Sequence, residues 1–251
     1  MKSSLYSDRE SVILRLLINN LARECTMYQT PSPRVLQGTT YKDWELSFTE
    51  HPSVESKFKR GLDILGSLVG LLILAIVFIP IAIAIKLDSP GPILFSQERY
   101  GLQGRVFRIW KFRSMVNDAE NLKSLVDNEA DGFVFKNKND FRVTKVGRFL
   151  RSSSLDELPQ FWNVLMGDMS LVGTRPPTAD EVAKYNNRHW QRLNVKPGLT
   201  GEWQVNGRSH VKDFEKIVDL DLQYQSNWHP LYDLQVIVKT IYVIFGKIGA
   251  F

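Results

Sequence analysis

Two adjacent carboxylates, Asp156 and Glu157, stand in the string Ser154-Leu155-Asp156-Glu157-Leu158-Pro159-Gln160, at the front of a segment whose pattern predicts a helix over Ser152–Met166 closed by Gly167. A helix N-terminus carries partial positive charge and free N–H groups, so carboxylates there stay ionised and incoming phosphate oxygens find donors. That environment favours a nucleophile over an acid. The same residues also satisfy a capping box, Ser154 followed three positions later by Glu157, and taken alone they account for no more than a helix start.

The surroundings add weight to phosphate chemistry. Lys111, Arg113, Lys145, Arg148 and Arg151 precede the pair, and Arg175 and Arg208 follow it. Guanidinium forks bind phosphate oxygens bidentately, although any single arginine is more often a solvated surface charge. Lys196-Pro197-Gly198-Leu199-Thr200-Gly201 and Asn206-Gly207-Arg208-Ser209 read as tight loops offering backbone N–H groups beside a cation, a phosphate or nucleotide cradle. Neither is a Walker loop or a dinucleotide fingerprint. His51, His189, His210 and His229 show no short metal spacing and no G-x-S-x-G elbow occurs, which disfavours zinc and serine hydrolysis. A hard divalent cation held by carboxylates and diphosphate is the better match, with Asp168 a further candidate ligand.

These residues need elements to hold them. From Ile64 to Ile85 no residue is charged, long enough for a membrane helix, and Lys57, Lys59 and Arg60 ahead of it place its N-terminal end on the cytoplasmic face. Pro80 permits a bend that would return the chain to the same side, yet membrane helices also tolerate proline without turning. The breaker cluster Lys86 to Pro92 opens a soluble domain, in which Ile93–Ser96 and Val106–Phe112 read as a hairpin. Asn117–Asn128 carries helical spacing, Asp131–Asp140 looks like an exposed loop, and Leu231–Phe245 repeats apolar positions every three or four residues as a helix.

The chain has 251 residues, 24% charged and 43% hydrophobic, an ordinary globular balance. Its net charge of +5 fits anionic lipid, diphosphate or nucleic acid equally. A lone cysteine, Cys25, excludes an intrachain disulfide and a cysteine metal site. Met1 to Thr49 is polar and mixed, without a secretory signal, and reads as dispensable for chemistry.

The order of motifs resembles the bacterial sugar transferase family, the monotopic phosphoglycosyl transferases. The matching strings are Lys59-Arg60 with Asp63, Lys86 to Pro92, Lys111-Phe112-Arg113-Ser114-Met115, Ser154 to Gln160, Gly167-Asp168-Met169-Ser170, and Lys196 to Gly201 with Gln204 to Arg208, spanning about residues 57 to 247 in register. The resemblance implies that Asp156 and Glu157 are catalytic. Asp156 would attack the β-phosphate of a nucleotide sugar, of uridine by the family's habit, and polyprenyl (undecaprenyl) phosphate would then displace the covalent phosphosugar. It also implies Mg2+ bound with help from Asp156 or Glu157, a re-entrant membrane helix, and phosphate contacts from Lys111, Arg113, Arg148, Arg151, Arg175 and Arg208. Two departures stand out: Ile79-Pro80 where the family often has Ser-Pro, and Gly173-Thr174-Arg175-Pro176 where it often has Gly-Pro-Arg-Pro.

The expectation is therefore an α+β chain, mostly helical with a small hairpin: an extension over 1–56, a bent membrane helix over 57–87, and a transferase domain over 88–251 on the cytoplasmic face of the bacterial inner membrane. Its expected partners are nucleotide sugar, polyprenyl phosphate and membrane lipid rather than nucleic acid, with homo-oligomerisation left open. The rival readings are an inactive scaffold of the same fold and a membrane-spanning protein with a nucleic-acid-binding domain. Sugar identity is not written in any local motif.

Overall fold

The computed structural model describes residues 51–246, apart from 130, 131, 136, 207–210 and 212. All but the last six residues of the expected extension, and Arg208, lie outside this set.

After a single turn, α1 (Pro52–Glu55), the chain enters α2 (Lys57–Asp88), a 32-residue helix capped by Ser56, whose Oγ accepts from the Lys59 N–H at 3.2 Å. Pro80 lies inside it and has no N–H to give to Ile76, so one internal hydrogen bond is missing. Two faces divide the helix. Leu65, Leu68, Leu72, Ile76, Ile79, Ile83 and Leu87 are exposed, whereas Lys59, Asp63, Ser67 and Gly70, then Ile81, Ala82 and Ile85, are buried against the rest of the chain. Covered positions thus run from 59 to 85, about 39 Å at 1.5 Å per residue. Close approach is built in at Gly70, where a Cβ would come within 2.3 Å of the Phe161 ring.

Polar anchors tie the N-terminal half of α2 down. The Arg60 guanidinium donates to the carbonyls of Val164 (2.9 Å) and Leu165 (2.7 Å), and the Asp63 carboxylate accepts from Ser170 Oγ and the Leu171 N–H, both at 2.8 Å. Lys59, buried, donates to Asp233 (2.7 Å) and the Val172 carbonyl (2.8 Å). Further along, Ile81 and Ile85 form one cluster with Phe112 and Leu150.

The expected hairpin is present and longer than its apolar runs suggest. Strands β1 (Leu94–Tyr100) and β2 (Val106–Phe112) pair antiparallel from Leu94↔Phe112 to Tyr100↔Val106. Then come α3 (Lys145–Ser152), a 3-10 turn at Leu155–Glu157, α4 (Gln160–Met166), β3 (Ser170–Val172), α5 (Ala179–Val182), α6 (Asn187–Trp190), β4 (Gly198–Thr200), α7 (Glu202–Val205), α8 (Phe214–Ser226) and α9 (Pro230–Phe245). Strands β3 and β4 form a second, parallel pair. The α+β class stands, as does the C-terminal helix.

Two expected helices fail. Over Asn117–Asn128 the chain makes turns and a single 3-10 turn at Lys123–Leu125. The helix expected over Ser152–Met166 is broken into three pieces. Ser154 takes a left-handed conformation (φ 56°) where a capping residue needs an extended one, and its side chain makes no cap hydrogen bond. Pro159 has no N–H for the Leu155 carbonyl, which accepts from Leu158 in a 3-10 bond instead.

The main core joins Val164, Met169 and Val172 to Val195, Tyr224 and Val236, with Phe107 and Ile109 from the hairpin. A second cluster, Trp203, Phe214, Ile217 and Val218, braces the far side.

Candidate active site

Asp156 and Glu157 end up on the short 3-10 turn, positioned by the left-handed Ser154 before it and Pro159 after it. A three-residue turn has little dipole, so the electrostatics of the pair come from side chains. The turn packs against β2, and both carboxylates line a cleft of about 640 Å³. Asp156 is 7% exposed. Glu157 receives the Lys111 ammonium at 2.8 Å, with both side chains about one-quarter exposed.

Alternation along the hairpin sends Phe95, Gln97 and Arg99 of β1 and Ile109 and Lys111 of β2 to this cleft. Arg151, at the end of α3, reaches it from the other side and donates to Ser114 Oγ at 2.9 Å; burial lowers its pKa, while the Asp156 charge opposes that shift. Arg113 lines the cleft as well, yet its guanidinium donates to the carbonyls of Pro90 (2.7 Å) and Ser89 (2.7 Å), stapling the segment that leaves α2.

Of the phosphate-binding residues expected from sequence, the cleft therefore gathers Lys111, Arg113 and Arg151. Arg148 is exposed on α3 and does not line it. Arg175 is also absent from its walls, being held by Glu181 at 2.8 Å and 3.1 Å beside the buried Arg192–Asp221 pair. Arg208 lies outside the described residues. The expected cradle at Lys196–Gly201 is a pairing segment: the Gly198 N–H donates to Thr174 (2.8 Å) and the Thr200 carbonyl accepts from Gly173 (2.9 Å). Asp168 accepts from Asn163 at 3.4 Å and does not line the cleft.

Sequence reading missed Arg99, Asp140, Arg142 and Trp203, all on the cleft wall. Period-two alternation across a correctly bounded β1 would have pointed to Arg99. Nothing local marks the others. Asp140 and Arg142 form a buried fork, Nε to Oδ1 at 2.9 Å and a terminal nitrogen to Oδ2 at 2.7 Å, and the guanidinium also donates to the Ala119 carbonyl. Burial pushes the Asp140 pKa up, but the hydrogen bonds from Arg142 outweigh it and leave the carboxyl below its ordinary range. A depressed acid contributes stability that is complete above its unfolded pKa of about 3.9 and is lost as pH falls through the folded value. Asp140→Asn should lower the urea midpoint at pH 6 and flatten its acid-side fall below about pH 4, read by titrating unfolding from pH 6 to 2.

Mg2+ keeps several waters and needs one or two carboxylates beside substrate phosphates. Among the described residues no group of three or more His, Cys, Asp or Glu side chains forms a cage. Asp156 and Glu157, adjacent on one turn, fit a cation that arrives with a diphosphate.

The chain belongs to the bacterial sugar transferase family, whose model matches residues 54–247 and so takes in the apolar helix, the hairpin and the whole described cleft. Three relatives show the likeness in detail. The chain is 52% identical over 194 residues to a galactosyl transferase, CpsE, of Streptococcus agalactiae, covering 76% of this chain and 43% of that one. It is 42% identical over 201 residues to a UDP-glucose:undecaprenyl-phosphate glucose-1-phosphate transferase of Klebsiella pneumoniae, covering 77% and 41%. To an undecaprenyl-phosphate galactose phosphotransferase of Salmonella typhimurium it is 43% identical over 199 residues, again covering 77% and 41%. The chain thus spans about two-fifths of the length of these curated relatives.

Proposed function

We propose that the chain transfers a sugar 1-phosphate from a nucleotide sugar, preferentially a UDP-sugar, to undecaprenyl phosphate, as the first membrane step of capsule, exopolysaccharide or related glycan assembly. The observation that carries this reading is the cleft holding Asp156, Glu157, Lys111 and Arg151 together on the soluble face of a domain built around α2. An Asp156 carboxylate oxygen attacks the β-phosphorus, and the bond to the nucleoside monophosphate breaks, the electron pair leaving with that group. A phosphate oxygen of the lipid then attacks the same phosphorus, and the aspartyl P–O bond breaks to release the polyprenyl diphosphate sugar. One displacement between two anions becomes two easier ones. Lys111 and Arg151 offset the negative charge that gathers on the phosphoryl oxygens. Mg2+, bound through Asp156 or Glu157, would add Lewis-acid charge neutralisation there.

For the membrane, the reading is an anchor lying in one leaflet of the inner membrane with the cleft on the cytoplasmic side. Support comes from the cover along α2. A spanning helix of about 30 Å hydrocarbon thickness would leave no room for soluble-domain contacts spread over about 39 Å of its length. With Cys25 replaced by serine, cysteines placed at Lys57 and at Leu125, both exposed, should label from the same side of inverted vesicles. Labelling from opposite sides would establish a spanning helix.

The reaction is tested by nucleoside monophosphate release from a panel of UDP-sugars by purified protein in detergent with magnesium and undecaprenyl phosphate. Sustained release that needs the lipid is the expected result, and the panel names the sugar. A folded protein that turns over none of them would leave a scaffold in place of an enzyme.

A further inference from the structure

Arg99 carries a charge that no carboxylate among the described residues contacts. Its terminal nitrogens donate to two neutral acceptors, Gln97 Oε1 at 2.6 Å and the Pro176 carbonyl at 3.2 Å, while its Nε is buried without a hydrogen bond among the described residues. No carboxylate of the described residues lies within ion-pair distance of it. The neighbouring cation, Arg175, has taken Glu181 for itself. Burial and then the Arg175 charge pull the Arg99 pKa down to about 10, so the site works against a proton it nevertheless keeps at neutral pH. A half-buried guanidinium with no carboxylate in contact, and only Glu181, Glu120 and Glu157 acting on it from further off, is costly to keep, and perturbed charges of this kind cluster at functional sites.

The position of Arg99 says which anion. The base of the hairpin, Leu94 opposite Phe112, packs with Ile81 and Ile85 of α2. Arg99 lies five residues up β1, about 17 Å away at 3.4 Å per residue. Beyond the base, α4 stands between hairpin and membrane helix, tied to β2 through Asn163. Arg99 lines the same cleft as the carboxylates yet sits four residues, about 14 Å, along β1 from Phe95, the partner of Lys111. Long side chains from both positions enter the one cleft and the Glu157 charge acts on Arg99, so a single diphosphate meets both, with Arg99 at the end away from the membrane helix. The Tyr100 N–H donating to Pro177 at 3.1 Å fixes this end of the strand.

Resting on the reaction proposed above, we infer that Arg99 binds the phosphate of the nucleoside monophosphate half of the donor.

The test uses the full chain in detergent with Arg99→Lys and Arg99→Gln. Calorimetric affinity for UMP and kcat/KM for the nucleotide sugar should fall about tenfold or more in Arg99→Gln, as expected for a hydrogen bond to a charged group. Arg99→Lys should fall less. Unchanged UMP affinity, or a change confined to the lipid KM, would overturn the assignment. Should both variants fail to fold, Gln97→Ala, which frees the guanidinium while keeping its charge, must weaken UMP binding, and no change there overturns it equally. Wild-type protein that releases no nucleoside monophosphate from any sugar would instead remove the reaction itself, whereas active wild type with indifferent Arg99 variants removes only this role.

Discussion

Asp156→Asn is expected to lower lipid-dependent nucleoside monophosphate release by about 10³-fold or more while leaving the thermal midpoint nearly unchanged, since the amide keeps the shape of the carboxylate and loses its nucleophilicity. The decisive measurement is intact-protein mass after brief exposure to the nucleotide sugar without lipid. Wild type should gain the mass of one phosphosugar, and Asp156→Asn should gain none. A mutant that still acquires the group would shift the nucleophile elsewhere, with Glu157 the nearest alternative. Its Lys111 contact argues against that role, because a carboxylate oxygen held by an ammonium at 2.8 Å is a poorer nucleophile. Glu157→Gln should therefore slow turnover yet still permit labelling at Asp156.

Lys59→Met is expected to destabilise the fold by about 3–5 kcal/mol, the usual cost of stranding one member of a buried ion pair. Lys59 and Asp233 are 6% and 1% exposed, and the same carboxylate accepts from Tyr224 at 2.7 Å and Trp228 at 3.3 Å. The loss should appear as a lower denaturant midpoint in detergent. Adding Asp233→Leu should recover part of it, because the remaining charge leaves with the aspartate while Tyr224 and Trp228 each lose an acceptor. A single mutant as stable as wild type would mean that water reaches Asp233 and that the pair does not lock α2 onto α8 and α9.

How far the sequence could be read depended on whether the signal was local. The apolar run of α2, the periodic C-terminal helix and the apolar runs of the hairpin each carry their signal in consecutive residues, and each was legible. The helix expected through Ser154 was not, because the capping-box pattern records residue types and not backbone conformation. One left-handed serine and one proline converted it into a tight turn. Counting cations also could not show that Arg175 is paired, because the carboxylate that reaches it, Glu181 six residues on, does so through space. Arg99 was passed over for the opposite reason. It lay in what read as a turn, and only the longer strand of the structure gives it a facing direction.

The cover along α2 has one more consequence. On the one-leaflet reading proposed above, a helix held lengthwise against its own domain presents no fixed hydrophobic length to be matched across a bilayer, and the thickness that sorts spanning helices among membranes would give no purchase on this one. Vesicles of short and long acyl chains should support the same turnover at equal headgroup composition, and the lipid property that matters becomes the packing of a single leaflet.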